Sequence, residues 1–125
     1  MRVLVTGANG FIAKNLIQHL SEDKSIEVVR LTRESVLSSI DFGEIDFIFH
    51  LAGVNRPQDV AEFHSGNTGL TQELVEALSK LEKRVPVVFS SSTQAILEND
   101  YGVSKKNAED RLLELSRTKG NPVAI

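Results

Sequence analysis

Residues 1–13 read Met1-Arg2-Val3-Leu4-Val5-Thr6-Gly7-Ala8-Asn9-Gly10-Phe11-Ile12-Ala13, and the fold turns on how this stretch is read. Val3-Leu4-Val5 is an unbroken apolar run, the pattern of a strand covered on both faces. Thr6-Gly7 bounds it. From Phe11 to Leu20 the apolar positions Ile12, Leu16 and Leu20 fall on one helical face. Strand, glycine turn and helix follow one another with nothing between. Gly7 permits a tight turn, Gly10 lets a ligand approach the backbone, and Ala13 is small enough for helix and strand to pack closely. The helix start offers free N–H groups, those of Phe11 and Ile12 foremost, and a partial positive charge. A pyrophosphate suits such a place. The loop therefore predicts a dinucleotide site with Gly7, Asn9, Gly10, Phe11 and Ile12 at its phosphate end. A glycine turn without a ligand is the competing reading, and the position directly after a first strand counts against it.

Outward from this loop, short apolar runs alternate with helix-period segments. Residues 26–31 predict a second strand, and a polar stretch at 32–39 follows it. Residues 47–52 predict a third strand, closed by Gly53. Residues 68–81 predict a helix with Leu70, Leu74, Val75 and Leu78 inward. Val87–Phe89 predicts a fourth strand, with Pro86 at its start, where a missing N–H matters least. Residues 101–117 predict a helix with Ala108, Leu112 and Leu115 on one side and Gly120 as its stop. Pro122-Val123-Ala124-Ile125 reads as the opening of a fifth strand. This order predicts an α/β fold: a Rossmann-like, doubly wound parallel sheet in three layers. The expectation is one NAD(P)-binding domain over residues 1–125, the N-terminal part of a longer enzyme, cut in or before its nicotinamide-side half.

Composition excludes several classes. Hydrophobic residues make up 41% and charged residues 25%, a soluble globular balance. The net charge of −3, without a run of Lys or Arg, argues against a nucleic-acid partner. No apolar run can span a bilayer, and Met1-Arg2-Val3 does not open a signal peptide. A cytoplasmic protein is expected. The absence of cysteine removes thiolate chemistry and disulfides. Without clustered His and carboxylates, no metal site is expected.

The choice of dinucleotide rests on the end of the second strand. An acidic residue usually grips the ribose diol there. Here the stretch is Val28-Val29-Arg30-Leu31-Thr32-Arg33, with no carboxylate and two arginines. A guanidinium fork suits a 2′-phosphate. NADP(H) is therefore favoured over NAD(H), with Arg33 ahead of Arg30 as the clamp and Thr32 beside it. Tyr101-Gly102-Val103-Ser104-Lys105 sets a phenol and an amine one helical turn apart. An adjacent ammonium stabilises a phenolate, so such a phenol can give a proton to a carbonyl oxygen as hydride reaches the carbon. Lys105 can also reach the nicotinamide ribose. Phe89-Ser90-Ser91-Ser92-Thr93 ends the fourth strand, at the sheet edge where ligands sit. Ser92 is the favoured anchor for the substrate oxygen, with Thr93 and Ser91 as rivals, and Ser90 is counted with the cofactor. His50 reads as a satisfied core histidine, Glu109-Asp110-Arg111 as a solvated face, and Phe11, Phe47, Phe49 and Phe89 as core candidates.

On these residues the chain resembles the extended short-chain dehydrogenase/reductases, in their nucleotide-sugar branch. The resemblance rests on the Thr-Gly-x-x-Gly-Phe-Ile loop, His50-Leu51-Ala52-Gly53, Asn67, Phe89-Ser90-Ser91-Ser92 and Tyr101-Gly102-x-Ser104-Lys105. It implies that Leu51, Ala52 and Gly53 line the adenosine half of the cofactor site and that Asn67 braces it. His50 to Pro57, Ser90 to Ala95 and the short gap from Ser92 to Tyr101 are similar to the reductases of capsular polysaccharide synthesis. Those reductases use NADPH to reduce the 4-keto group of UDP-linked amino sugars on the route to N-acetyl-L-fucosamine. They continue into a substrate-binding region and a cupin-type domain, so this chain is expected to be a fragment, inactive or crippled alone. The resemblance further implies a nucleotide-sugar substrate and a homo-oligomer in the intact enzyme. Ala13 replaces the family's third glycine. Thr93-Gln94 stand where a 4,6-dehydratase needs an Asp-Glu pair, and a 4-epimerase usually keeps the acidic ribose grip missing here. An epimerase, an NAD(P)-binding module without turnover and a scaffold for oligomer contacts stand as alternatives.

Overall fold

In the computed structural model, the described residues are 1–8, 10–31, 39–51, 69–90 and 106–125, with the backbone of 100–105. Among them run β1 (Arg2–Thr6), α1 (Phe11–Ser21), β2 (Glu27–Leu31), a 3-10 turn (Phe42–Glu44), β3 (Phe47–His50), α2 (Leu70–Ser79), β4 (Val87–Phe89), α3 (Asp100–Lys119) and β5 (Val123–Ala124). All strand pairs are parallel, in the order β2-β1-β3-β4-β5. The expected Rossmann-like parallel sheet is the one observed. No helix among the described residues is long and apolar enough to cross a membrane.

The two-residue period of β1 splits the core. Val3 and Val5 pack with Ala8, Ala13 and Ile17 on the α1 face. Leu4 joins Ile48, Leu74, Leu78, Val87, Ala108 and Leu112 on the face of α2 and α3. Ala108, Leu112 and Leu115 are buried as their spacing predicts. On α1 the contact line runs one residue later than the predicted Ile12-Leu16-Leu20 face. Ala13 and Ile17 are buried, Leu16 and Leu20 are half-buried, and Ile12 is 65% exposed. The small Ala13 side chain lets α1 settle on Val3 and Val5, and the helix turns accordingly. Gly120 ends α3 in the left-handed region (φ 87°), its amide donating to Ser116 O at 2.9 Å.

The edge of the sheet opposite the loop is pinned by charge. The Arg2 guanidinium pairs with Glu27 at 3.1 Å and with Glu44. The Arg2 backbone N–H donates to Asp46 Oδ2 at 2.8 Å, and Lys83 stands 3.8 Å from the same carboxylate. The backbone donation, ahead of the charge of Lys83, holds the Asp46 carboxyl below its ordinary value of 3.8. A depressed carboxyl stabilises the fold above that value, and the contribution is lost as the pH falls through the folded pKa. Asp46→Asn is therefore expected to lower the thermal midpoint near pH 7 and to approach the parent chain in acid, once the pH has fallen through the depressed pKa of Asp46. A gap that persists in acid would show that shape, and not charge, is what Asp46 contributes.

Candidate cofactor site

Strand order reverses between β1, whose next strand β2 lies on one side, and β3, which lies on the other. Ligands of open α/β sheets sit outside the strand carboxyl ends at such a switch point. Thr6, Gly7, Ala8 and Gly10 lie there, between the end of β1 and the start of α1. Gly7 has φ 67°, a left-handed conformation that an L side chain adopts only at a cost of about 1–2 kcal/mol. Its carbonyl accepts the Gly10 amide at 2.9 Å, and the Ala8 amide donates to Leu31 O at 3.2 Å, tying the loop to the end of β2. Gly10 caps α1 in an extended conformation, with no side-chain cap and no acidic residue in the first turn. A Cβ on Gly10 would sit 3.2 Å from Gly7 O, already tight. Among the described residues no side chain caps the start of α1, so its backbone donors and positive end are open to an anion.

Beneath the loop lies a buried polar cluster. Thr6 and His50 are register partners on β1 and β3. Thr6 Oγ1 lies 2.7 Å from His50 Nδ1, and Thr71 Oγ1 lies 2.7 Å from His50 Nε2. All three residues are fully buried. The imidazole stacks on Phe89, with centroids 5.3 Å apart, and the Ser90 amide donates to His50 O at 3.2 Å. His50 is the satisfied core histidine that the sequence predicts. It fastens the carboxyl ends of β1 and β3 to the first turn of α2. Thr6 and Thr71 were not among the predicted site residues. Thr71 precedes Leu74 and Leu78 on the buried face of α2, and that spacing was the available signal.

Several predicted site residues converge on this edge. Gly7, Gly10, Phe11 and Ile12 form the loop and helix start. Leu51 follows β3, half-buried, and Ser90 follows β4. Arg30 is exposed on β2, one residue before its end, and lines a groove with Ala8, Lys14, Ile17, Gln18 and Ser21. Tyr101 and Lys105 fall in the first turns of α3, which begins after β4 and returns to the start of β5. Asn9, Thr32, Arg33, Ala52, Gly53, Asn67 and Ser92 lie outside the described residues. Phe11 departs from expectation. It is 83% exposed and not part of the core, because it precedes Ala13, the first residue of α1 to touch the sheet.

The sequence pattern described as "NAD dependent epimerase/dehydratase family" matches residues 3–118. The chain belongs to this family. It is 49% identical over 127 residues to UDP-2-acetamido-2,6-beta-L-arabino-hexul-4-ose reductase of Pseudomonas aeruginosa, an alignment covering 100% of this chain and 34% of that protein. Among solved structures it is similar to capsular polysaccharide assembling protein CapF from Staphylococcus aureus. The identity there is 35% and the TM-score 0.82, over 98% of this chain and 34% of the other. UDP-glucuronic acid 4-epimerase from Bacillus cereus, solved with NAD, superposes with a TM-score of 0.84 at 21% identity, over 98% of this chain and 55% of that one. That likeness is one of fold. The chain spans about a third (34%) of the Pseudomonas aeruginosa and Staphylococcus aureus proteins.

Replacing the ring that bridges two buried hydroxyls removes two hydrogen bonds from a dry place. His50→Phe is expected to cost about 2–4 kcal/mol in denaturant unfolding, with little change in slope. A loss below about 0.5 kcal/mol would show that the hydroxyls re-pair without the imidazole.

Proposed function

We propose that residues 1–125 form the cofactor-binding domain of an NADP(H)-dependent reductase. In the intact protein it reduces the 4-keto group of a UDP-linked amino sugar for capsular or surface polysaccharide synthesis. The observation that carries this reading is the uncapped, glycine-turned start of α1 at the switch point of the sheet. The relatives' names support the substrate class, and the Tyr101–Lys105 spacing supports the reaction.

The loop fits a dinucleotide. Adding a Cβ at Gly10 would crowd the very turn that brings backbone donors to the surface. The Phe11 and Ile12 amides would hold the pyrophosphate, and Arg33 with Arg30 would hold the 2′-phosphate. Leu51, Ala52 and Gly53 would line the adenosine half, with Asn9, Thr32 and Ser90 alongside. The bound nicotinamide supplies hydride. Ser92 anchors the substrate's carbonyl oxygen, and Tyr101 gives that oxygen its proton as the carbon is reduced. Lys105 stabilises the phenolate left behind and hydrogen-bonds the ribose. The carbonyl becomes a hydroxyl, and solvent returns the proton to Tyr101. An epimerase would share the loop and the Tyr-Lys pair, yet residues 28–33 carry no carboxylate for the ribose diol.

In the intact protein, Tyr101→Phe is expected to leave NADPH affinity near normal and to cut turnover by about 10²–10⁴-fold, followed by NADPH consumption with the 4-keto sugar. Unchanged turnover removes Tyr101 as the proton donor. Arg33→Ala is expected to weaken NADPH far more than NADH in fluorescence titrations. Equal weakening would show that Arg33 does not clamp a 2′-phosphate.

A further inference from the structure

The groove between α1 and β2 is lined by Ala8, Lys14, Ile17, Gln18, Ser21 and Arg30 and measures about 300 Å³. Its apolar members, Ala8 and Ile17, are buried, and its polar members are exposed. Among the described residues its lining has two cations and no carboxylate. Neither Lys14 nor Arg30 is in an ion pair with a carboxylate among the described residues, in contrast to Arg2, Lys83 and Lys106. Two cations facing one groove repel each other and gain from an anion placed between them.

Position says which anion. Ala8 belongs to the phosphate loop, and its amide ties that loop to Leu31 at the end of β2. A dinucleotide whose pyrophosphate rests on α1 carries its adenosine ribose toward the end of the second strand. The ribose 2′ position of such a dinucleotide would then face the Ala8 end of the groove. We infer that Lys14 is a specificity-determining residue: with Arg30 it forms a cationic groove that receives the 2′-phosphate of the cofactor. Gln18 and Ser21 add neutral donors on the same wall. Nothing in the one-dimensional pattern marks Lys14, since it is a helix-surface lysine four residues past Gly10.

This inference rests on the NADP(H) reading, and the test separates the two. The intact protein is titrated calorimetrically with 2′,5′-ADP and with ADP, which differ only in the 2′-phosphate. The parent is expected to favour 2′,5′-ADP at least tenfold. Lys14→Gln is expected to reduce that ratio by about tenfold, and Arg30→Gln by a similar factor, with ADP as the internal reference. A parent that prefers 2′,5′-ADP while both variants keep the full ratio overturns the inference and leaves the NADP(H) reading standing on Arg33. A parent with no preference overturns both. Lys14→Arg restores the ratio if charge at this place is what matters, and loss of the ratio in Lys14→Arg as deep as in Lys14→Gln counts against the proposal.

Discussion

At φ 67° Gly7 holds a conformation closed to most side chains, and its carbonyl turns back to accept the Gly10 amide at 2.9 Å. That one turn ends β1 and starts α1 within a few residues. It leaves the helix start without a side-chain cap among the described residues and without an acidic residue in its first turn. Everything assigned to the site depends on this arrangement, because the backbone donors are offered at the sheet edge only if the turn is made there. Ala13 supports it from behind, 1% exposed against Val3 and Val5.

The loop in turn rests on the His50 cluster. The backbone bonds of parallel strands β1 and β3 are supplemented at their carboxyl ends by side-chain bonds. The Thr6–His50–Thr71 chain, with 2.7 Å at each link, supplies them across β1, β3 and α2. Buried polar groups are costly unless bonded, and a bonded set specifies one arrangement. The opposite sheet edge is held differently, by exposed ion pairs around Arg2, which solvent screens. The loop edge is thus braced in the dry interior and the other edge at the surface.

Much of this was legible in the residues. The strand-loop-helix order, the parallel sheet, the buried line of α3 and the inert role of His50 follow from periodicity and local chemistry. The misreadings have physical causes. Apolar periodicity put Ile12 inward, whereas close docking through Ala13 shifted the contact line of α1 and left Phe11 and Ile12 exposed. Thr71 escaped notice because a hydroxyl on an apolar face is read as polar until its partner across the sheet is known. Lys14 escaped because a groove between a helix and an edge strand has no signature along one segment. Ser92, Arg33, Ala52 and Gly53 lie outside the described residues and keep the standing that sequence and resemblance give them.

The central claim, that the start of α1 receives a pyrophosphate, is tested most directly by a crystal structure of the intact protein with NADPH. The account predicts phosphate oxygens within about 3 Å of the Phe11 and Ile12 amide nitrogens. A cofactor whose pyrophosphate lies away from the first turn of α1, with those amides bonded to water or to the protein's own groups, would contradict it.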